Sequence, residues 1–193
     1  MHVMIIGNVL IREEVTHNVK ERLLKLLPLL GDNIRFYDDK WICNKLRRSP
    51  SQNIAQRTLR FNKTPLQYNS IVKIFALKRF ENGRGFETVY NAVKHINPFL
   101  KFYNKEYPGK LLPSITTGAI MEYKIYVERQ QYSQATKEHR WSVLNTFFDE
   151  LAGWEEMPVK KPTTSSNPFT RDRKKVDYKY IPETVLRQLD TAF

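Results

Sequence analysis

The stretch that decides the fold is "TPLQYNSIVKIFALKRFENGRGFETVYNAVKHINPFLKFY", residues 64–103. It predicts two helices, because apolar side chains recur every three or four residues on either side of a glycine-containing break. The first is predicted at about 65–80, with Thr64 as a cap and Pro65 in the first turn. Its apolar face comprises Tyr68, Ile71, Val72 and Phe75. The second is predicted at about 86–103, with a stripe of Val89, Val93, Ile96, Leu100 and Tyr103.

Two more helices are predicted further along the chain. One covers about 117–130, with Ile120, Tyr123 and Val127 toward the core. The other covers about 134–151, and Ser133 is its expected N-cap. Because the links are short, neighbouring helices should run antiparallel. The predicted fold class is therefore mainly α, with a four-helix bundle at residues 61–153.

The flanking regions differ in composition from this bundle. Residues 1–60 read as an N-terminal, α/β-like extension: a helix at about 9–30 that ends at Gly31, a strand or hairpin around Asp38 and Asp39, and then a polar, basic connector. Residues 154–180 are rich in proline, serine, threonine and basic residues, which is typical of an extended basic linker. A further helix begins at about residue 181, with Pro182 in its first turn.

The charge of the chain is strongly positive. Thirty-two Lys and Arg residues against twenty Asp and Glu residues give a net charge of +12, which is typical of proteins that bind polyanions. From Lys40 to Phe80 there are ten basic residues and no acidic one. Because a solvated surface normally mixes both signs, this acid-free window predicts a face placed against phosphate. An ordinary basic surface is the alternative interpretation.

Composition also disfavours several classes of protein. The single cysteine, Cys43, excludes an internal disulfide and a cysteine-based zinc site, and it fits a reducing cytosol. Carboxylates are scarce in the basic middle of the chain, so no metal or other cofactor is expected. No apolar run is long enough to cross a bilayer. We therefore expect a cytoplasmic protein with no membrane partner.

Two helices resemble segments of a known family. The sequence "TKEHRWSVLNTFFDEL" resembles the last long helix of the core-binding (SAM-like) domain of tyrosine recombinases, the phage-integrase family. The residues that match are Thr136, Arg140, Ser142, Leu144, Phe147 and Phe148, whereas His139, Trp141 and Asn145 depart from the pattern. The sequence "TVYNAVKHINPFLKF" is similar to an earlier helix of that domain. There Thr88, Val89, Ile96, Phe99, Leu100 and Phe102 match, and Ala92 replaces the usual tyrosine. The resemblance covers residues 61–193.

This resemblance implies that catalysis takes place outside the sequence. The family cleaves and rejoins DNA with a tyrosine nucleophile, assisted by arginines, a lysine and a His-x-x-Arg motif in a separate catalytic domain. None of the four histidines here has an arginine three residues later. Residues 181–193 would then begin a catalytic domain that is truncated here. The resemblance assigns no catalytic residue, and no activity is expected of this chain alone.

The resemblance also implies the partners and the contacts. The partners would be double-stranded DNA, the missing catalytic domain and other copies of the chain on DNA, which would place the protein at the nucleoid. The polar faces of two helices and the linker would carry the DNA contacts. The residues concerned are Thr88, Asn91, Lys94, His95, Gln134, Lys137, His139, Arg140, Arg173, Lys174 and Lys175.

Other interpretations of the same pattern stay open. A stand-alone helical DNA-binding regulator would have the same charge and the same bundle. An adaptor that docks an acidic partner would also be basic, although it would not require polar faces that carry Asn and Thr. Each polar face could also be merely solvated.

Overall fold

The computed structural model describes residues 3–6, 9–12, 21, 25–46, 57–152, 161–162 and 166–169. The fold is mainly α, as the sequence predicts. The long helices are α1 (Leu66–Glu81), α2 (Phe86–Glu106), α3 (Thr117–Arg129) and α4 (Gln134–Ala152), and a 3-10 turn covers Leu112–Ser114. The strands are β1 (Val3–Ile6), β2 (Val9–Arg12), β3 (Lys40–Ile42) and β4 (Thr58–Arg60). The helix predicted from residue 181 lies outside the described residues.

The ends of the helices follow local chemistry, with one exception. Ser133 Oγ accepts the backbone N–H of Thr136 at 3.2 Å, which confirms the predicted N-cap of α4. Thr116 caps α3 in the same way, through the N–H of Ala119 at 3.2 Å. The prediction for Thr64 is wrong, because Pro65 is the N-cap residue of α1 and no side chain caps that helix. The Thr64 hydroxyl instead donates to Asn97 Oδ1 of α2, at 2.6 Å.

Helix α1 is the centre of the core. Residues 71–77 are all buried, so α1 is covered on every side and not only along its predicted face. Its Phe75 ring packs edge-on against Phe147 of α4, with 5.0 Å between centroids. Its Tyr68 ring lies 6.1 Å from Tyr103 of α2. The remaining side of α1 packs against the chain that precedes it.

That preceding chain contains a small antiparallel sheet. Strands β3 and β4 pair with Trp41 opposite Leu59, and both side chains are fully buried. Phe61 follows β4 and packs against Trp41, with 4.7 Å between ring centroids. The strand predicted near Asp39 is confirmed at β3. Its partner β4 lies within the predicted connector, so that prediction is wrong at residues 58–60, and the core is continuous from this sheet into the helices.

A second antiparallel pair corrects the first predicted helix. Val9–Arg12 is strand β2, which pairs with β1 so that Ile6 lies opposite Val9. The sequence between these strands is Gly7-Asn8, a dipeptide typical of two-residue hairpin turns. Among the described residues of the predicted helix, 9–12 contradict it, whereas 21 and 25–30 are helical as predicted. Gly31 follows them, and a Cβ at this position would clash with the backbone oxygen of Ile42.

Candidate nucleic-acid interface

The basic residues of the acid-free window divide into buried and exposed ones. We call Arg57, Lys73 and Arg79 the inner cations, because all three are buried. The prediction that the window forms one face against phosphate is therefore wrong for these three residues. Their side chains are packed in the core and contribute little to the exposed charge.

Each of the two inner cations of α1 has a protein neighbour that explains its position. Arg79 Nη1 contacts Glu150 Oε1 of α4 at 2.9 Å. The Lys73 ammonium lies 5.4 Å from the centroid of Phe61 and 5.9 Å from that of Phe36, which are cation–π distances. Burial lowers the pKa of Lys73, and the carboxylates of Asp39 and Asp38 oppose this shift.

Exposed cations of the window and of α2 meet across a cleft, which we call the basic cleft. It lies between the chain from β4 to α1 on one side and α2 on the other, and its volume is about 240 Å³. Its polar lining comprises Arg60, Lys63, Tyr90, Lys94, Asn97 and Lys101. Among the described residues no carboxylate lines the cleft, and none of its four cations forms an ion pair.

Helices α2 and α4 bring two of the predicted DNA-binding residues together. The rings of His95 and His139 are in edge-to-face contact, with 4.4 Å between centroids and an interplanar angle of 89°. Burial lowers the pKa of His95 to about 4, and the neighbouring charges of His139, Arg140 and Lys94 add to this effect. At neutral pH the His95 ring is therefore uncharged and serves as packing or as a neutral hydrogen-bonding group.

The other predicted residues of α2 remain accessible. Thr88 and Lys94 are exposed, and Asn91 is partly exposed. All of them lie away from the buried stripe of Val89, Val93 and Ile96, as the helical spacing predicts. Helix α2 therefore presents a polar surface on the outside of the fold.

The predicted residues of α4 are mostly engaged within the protein. Gln134 Nε2 donates to the backbone oxygen of Phe169, and Lys137 Nζ donates to that of Glu128 at 3.0 Å. The Arg140 guanidinium stacks on Tyr132 at 3.8 Å, and its Nε and Nη1 are buried without a hydrogen-bond partner. Of the four residues predicted on α4, His139 alone is exposed.

The described part of the linker returns along α4. Lys161 Nζ pairs with Asp149 at 2.5 Å. Asn167 Nδ2 donates to Ser142 Oγ at 3.2 Å and to the Glu138 oxygen at 3.0 Å. The Phe169 ring packs edge-on against Trp141, with 5.7 Å between centroids. Arg173, Lys174 and Lys175 lie outside the described residues.

The sequence prediction did not single out Arg60, Lys63, Tyr90 and Lys101 as site residues. The signal that could have found Lys101 is its seven-residue spacing from Lys94, which places both on one side of α2. Arg60 and Lys63 precede α1, and only the tertiary fold brings them beside α2.

Within the described part of the chain, no group of three or more His, Cys, Asp or Glu side chains could hold a metal ion. No helix in that part has both the length and the apolar character to cross a membrane. Comparison with models of protein families, with curated proteins and with solved structures finds no match to this chain.

Proposed function

We propose that this chain binds duplex DNA in a sequence-specific manner, as the core-binding part of a tyrosine recombinase or integrase. With DNA as its partner, the protein would act at the nucleoid in the integration or recombination of a mobile element. Its further partners would be a catalytic domain and other copies of the chain on DNA.

One observation carries this proposal. The two helices whose sequences resemble the family, α2 and α4, pack directly against each other and meet at His95 and His139. The exposed His139 of α4 therefore lies beside the polar side of α2, and together they form the candidate surface. The net charge of +12 supplies the long-range attraction that a polyanion binder requires.

The side chains on this surface have different roles in the proposed recognition of DNA. Asn91 has the amide geometry that pairs with adenine in the major groove, whereas Lys94 suits phosphate. His139 lies at the exposed edge of the same surface. Gln134, Lys137 and Arg140 position the first turns of α4 through their contacts with the linker, the α3 end and Tyr132.

Selection of duplexes from a randomised library, followed by titration of the enriched duplex at several salt concentrations, tests the proposal. We expect an enriched site and a log–log salt slope of about 0.9 for each phosphate contacted. Asn91→Ala should lose about 1–3 kcal/mol of discrimination at one base pair.

The matched control is Asn104→Ala, since Asn104 is also a partly exposed asparagine of α2 but lies outside the predicted site. Its site preference should equal that of the wild type. Binding without any enriched site would contradict sequence specificity, and the absence of salt-dependent binding would contradict DNA as the partner.

A further inference from the structure

The basic cleft is built from two chain segments that carry positive charge on opposite walls. Arg60 and Lys63 come from the chain between β4 and α1, and Lys94 and Lys101 come from α2. Four lysines elsewhere on the described surface are paired with carboxylates: Lys45, Lys105, Lys124 and Lys161. Four cations without an acidic neighbour repel one another, and an anion in the cleft would remove that repulsion.

The floor of the cleft carries an oriented polar group. Asn97 is 7% exposed, and its Oδ1 accepts the hydroxyl of Thr64 at 2.6 Å. This bond fixes the side-chain amide. Nδ2 has no acceptor among the described residues and is not enclosed, so its N–H groups are available to a ligand in the cleft. Tyr90, at the edge, is 37% exposed and carries a hydroxyl of the kind that contacts phosphate oxygens.

The size of the cleft disfavours a drug-sized ligand, and the spacing of its lysines fits several phosphates. Its volume of about 240 Å³ is below the range of roughly 300–1,000 Å³ that encloses drug-sized molecules. Lys94 and Lys101 are two helical turns apart, or about 10 Å along α2. Successive phosphates of one DNA strand advance about 3.4 Å along the helix axis, so this distance corresponds to about three phosphate-to-phosphate steps along that axis.

We infer that the basic cleft is a phosphate-binding site that holds the backbone of one DNA strand. Arg60 and Lys63 contact it from one wall, Lys94 and Lys101 from the other, and the Asn97 amide from the floor. This inference rests on the proposed function insofar as the phosphates belong to DNA. The basic cleft would then bind the DNA backbone beside the α2–α4 surface, and it would make no contacts with the bases.

Charge-neutralising variants test the inference. We expect Lys63→Gln/Lys101→Gln to weaken binding of every duplex on the order of tenfold near 0.1 M salt and to lower the log–log salt slope by about 2. The control is Lys105→Gln/Lys124→Gln, which removes the same charge from lysines that are paired with Glu106 and Glu128. Its affinity and slope should stay near the wild-type values, and both variants should keep the wild-type Tm.

An isosteric variant tests the role of the Asn97 amide at the floor of the cleft. Asn97→Asp keeps an acceptor for Thr64 but replaces the amide donors with negative oxygen, so it should weaken DNA binding more than tenfold. In a ¹⁵N NMR titration with inorganic phosphate, the Asn97 side-chain resonance should shift in the wild type and remain in place in Lys63→Gln/Lys101→Gln.

The possible results separate the two proposals. Equal weakening by the cleft and control variants would overturn the cleft while DNA binding stands. A wild type that shifts with phosphate but binds no duplex would overturn DNA as the source of the phosphates. An Asn97 resonance that responds to neither DNA nor phosphate would overturn the cleft as a phosphate site.

Discussion

Two pairs of cations, close together in the sequence, have opposite environments in the fold. Arg60 and Lys63 precede α1 and are exposed, whereas Lys73 and Arg79 lie within α1 and are buried. No carboxylate of the described residues lines the cleft in which the exposed pair lies. In the buried pair, Arg79 forms an ion pair with Glu150, and Lys73 lies over the ring of Phe61. A basic stretch of sequence is therefore not a basic surface, because the fold buries some of its charges in the core and leaves others exposed.

The buried ion pair between Arg79 and Glu150 leaves some of its polar atoms without hydrogen-bond partners. Only Arg79 Nη1 and Glu150 Oε1 are bonded, while Arg79 Nε and Glu150 Oε2 are buried without a partner. Burial raises the pKa of Glu150, and Arg79 with its basic neighbours opposes this shift only in part. Such a pair contributes little relative to an apolar alternative, but losing one member leaves an uncompensated charge.

The largest expected effect follows from that asymmetry. Glu150→Ala should lower the free energy of unfolding by about 3 kcal/mol, because Arg79 then remains buried and unpaired. The double variant Arg79→Met/Glu150→Leu should recover most of this loss. Chemical denaturation of the wild type, the single variants and the double variant measures it. If the double variant is no more stable than Glu150→Ala, the inner cation does not depend on its partner and the comparison fails.

His95 is partly buried, so its environment is intermediate between those of the exposed and the buried cations. The pH dependence of stability therefore tests the comparison at this residue. The pKa of His95 is about 4 in the fold and 6.5 as a reference. As the pH falls from 6.5 toward 4, the unfolded chain takes up a proton that the folded chain does not, so the stability falls. The expected loss is about 1–2 kcal/mol, because solvent reaches part of the ring and screens its charge.

Denaturation at pH 7 and at pH 4.5 measures this dependence. The contribution of this histidine should vanish in His95→Gln. It should largely persist in His139→Gln, because burial is the main cause of the shift and the charge of His139 is secondary. Identical pH profiles for the wild type and His95→Gln would contradict the assignment.

The smallest effect concerns Lys73. The lowered pKa means that folding disfavours its charged form, so its charge reduces stability at neutral pH and the reduction disappears as the pH rises toward 10.5. Lys73→Met should therefore be neutral or stabilising by up to about 1 kcal/mol at pH 7. The exposed counterpart, Lys63→Met, should change stability by less than about 0.5 kcal/mol. A clear loss in Lys73→Met would mean that its contacts with Phe36 and Phe61 outweigh the burial of charge.

The helices could be predicted from the sequence because their ends carry local signals. Thr116, Ser133 and the glycines after α1 act within one turn of the chain, and α1 to α4 begin within one residue of the predicted positions. The N-terminal strands could be predicted less well. The partner of β3 is separated from it by a long stretch of chain, and Thr58–Arg60 has a single apolar residue, Leu59.

The candidate site was predictable only in part, since it depends on tertiary contacts. Helical spacing placed Thr88, Asn91 and Lys94 on the outside of α2. It could not show that Gln134 would bond to Phe169 or that Arg140 would stack on Tyr132, because those partners come from other segments. It also could not place Arg60 and Lys63 beside Lys94. The same limit explains why the sequence pattern does not distinguish the buried Lys73 and Arg79 from the surface charges.

The path of the linker determines where anything joined after it begins. Lys161 pairs with Asp149, Asn167 bonds to Ser142, and the backbone oxygen of Phe169 bonds to Gln134. The described contacts of the linker therefore run from the end of α4 back to its start. Helix α4 has 19 residues, which corresponds to a length of about 28 Å. A module attached after Phe169 is therefore tethered at the first turn of α4. Its point of departure is about one helix length away from Ala152, and its reach must be measured from Gln134.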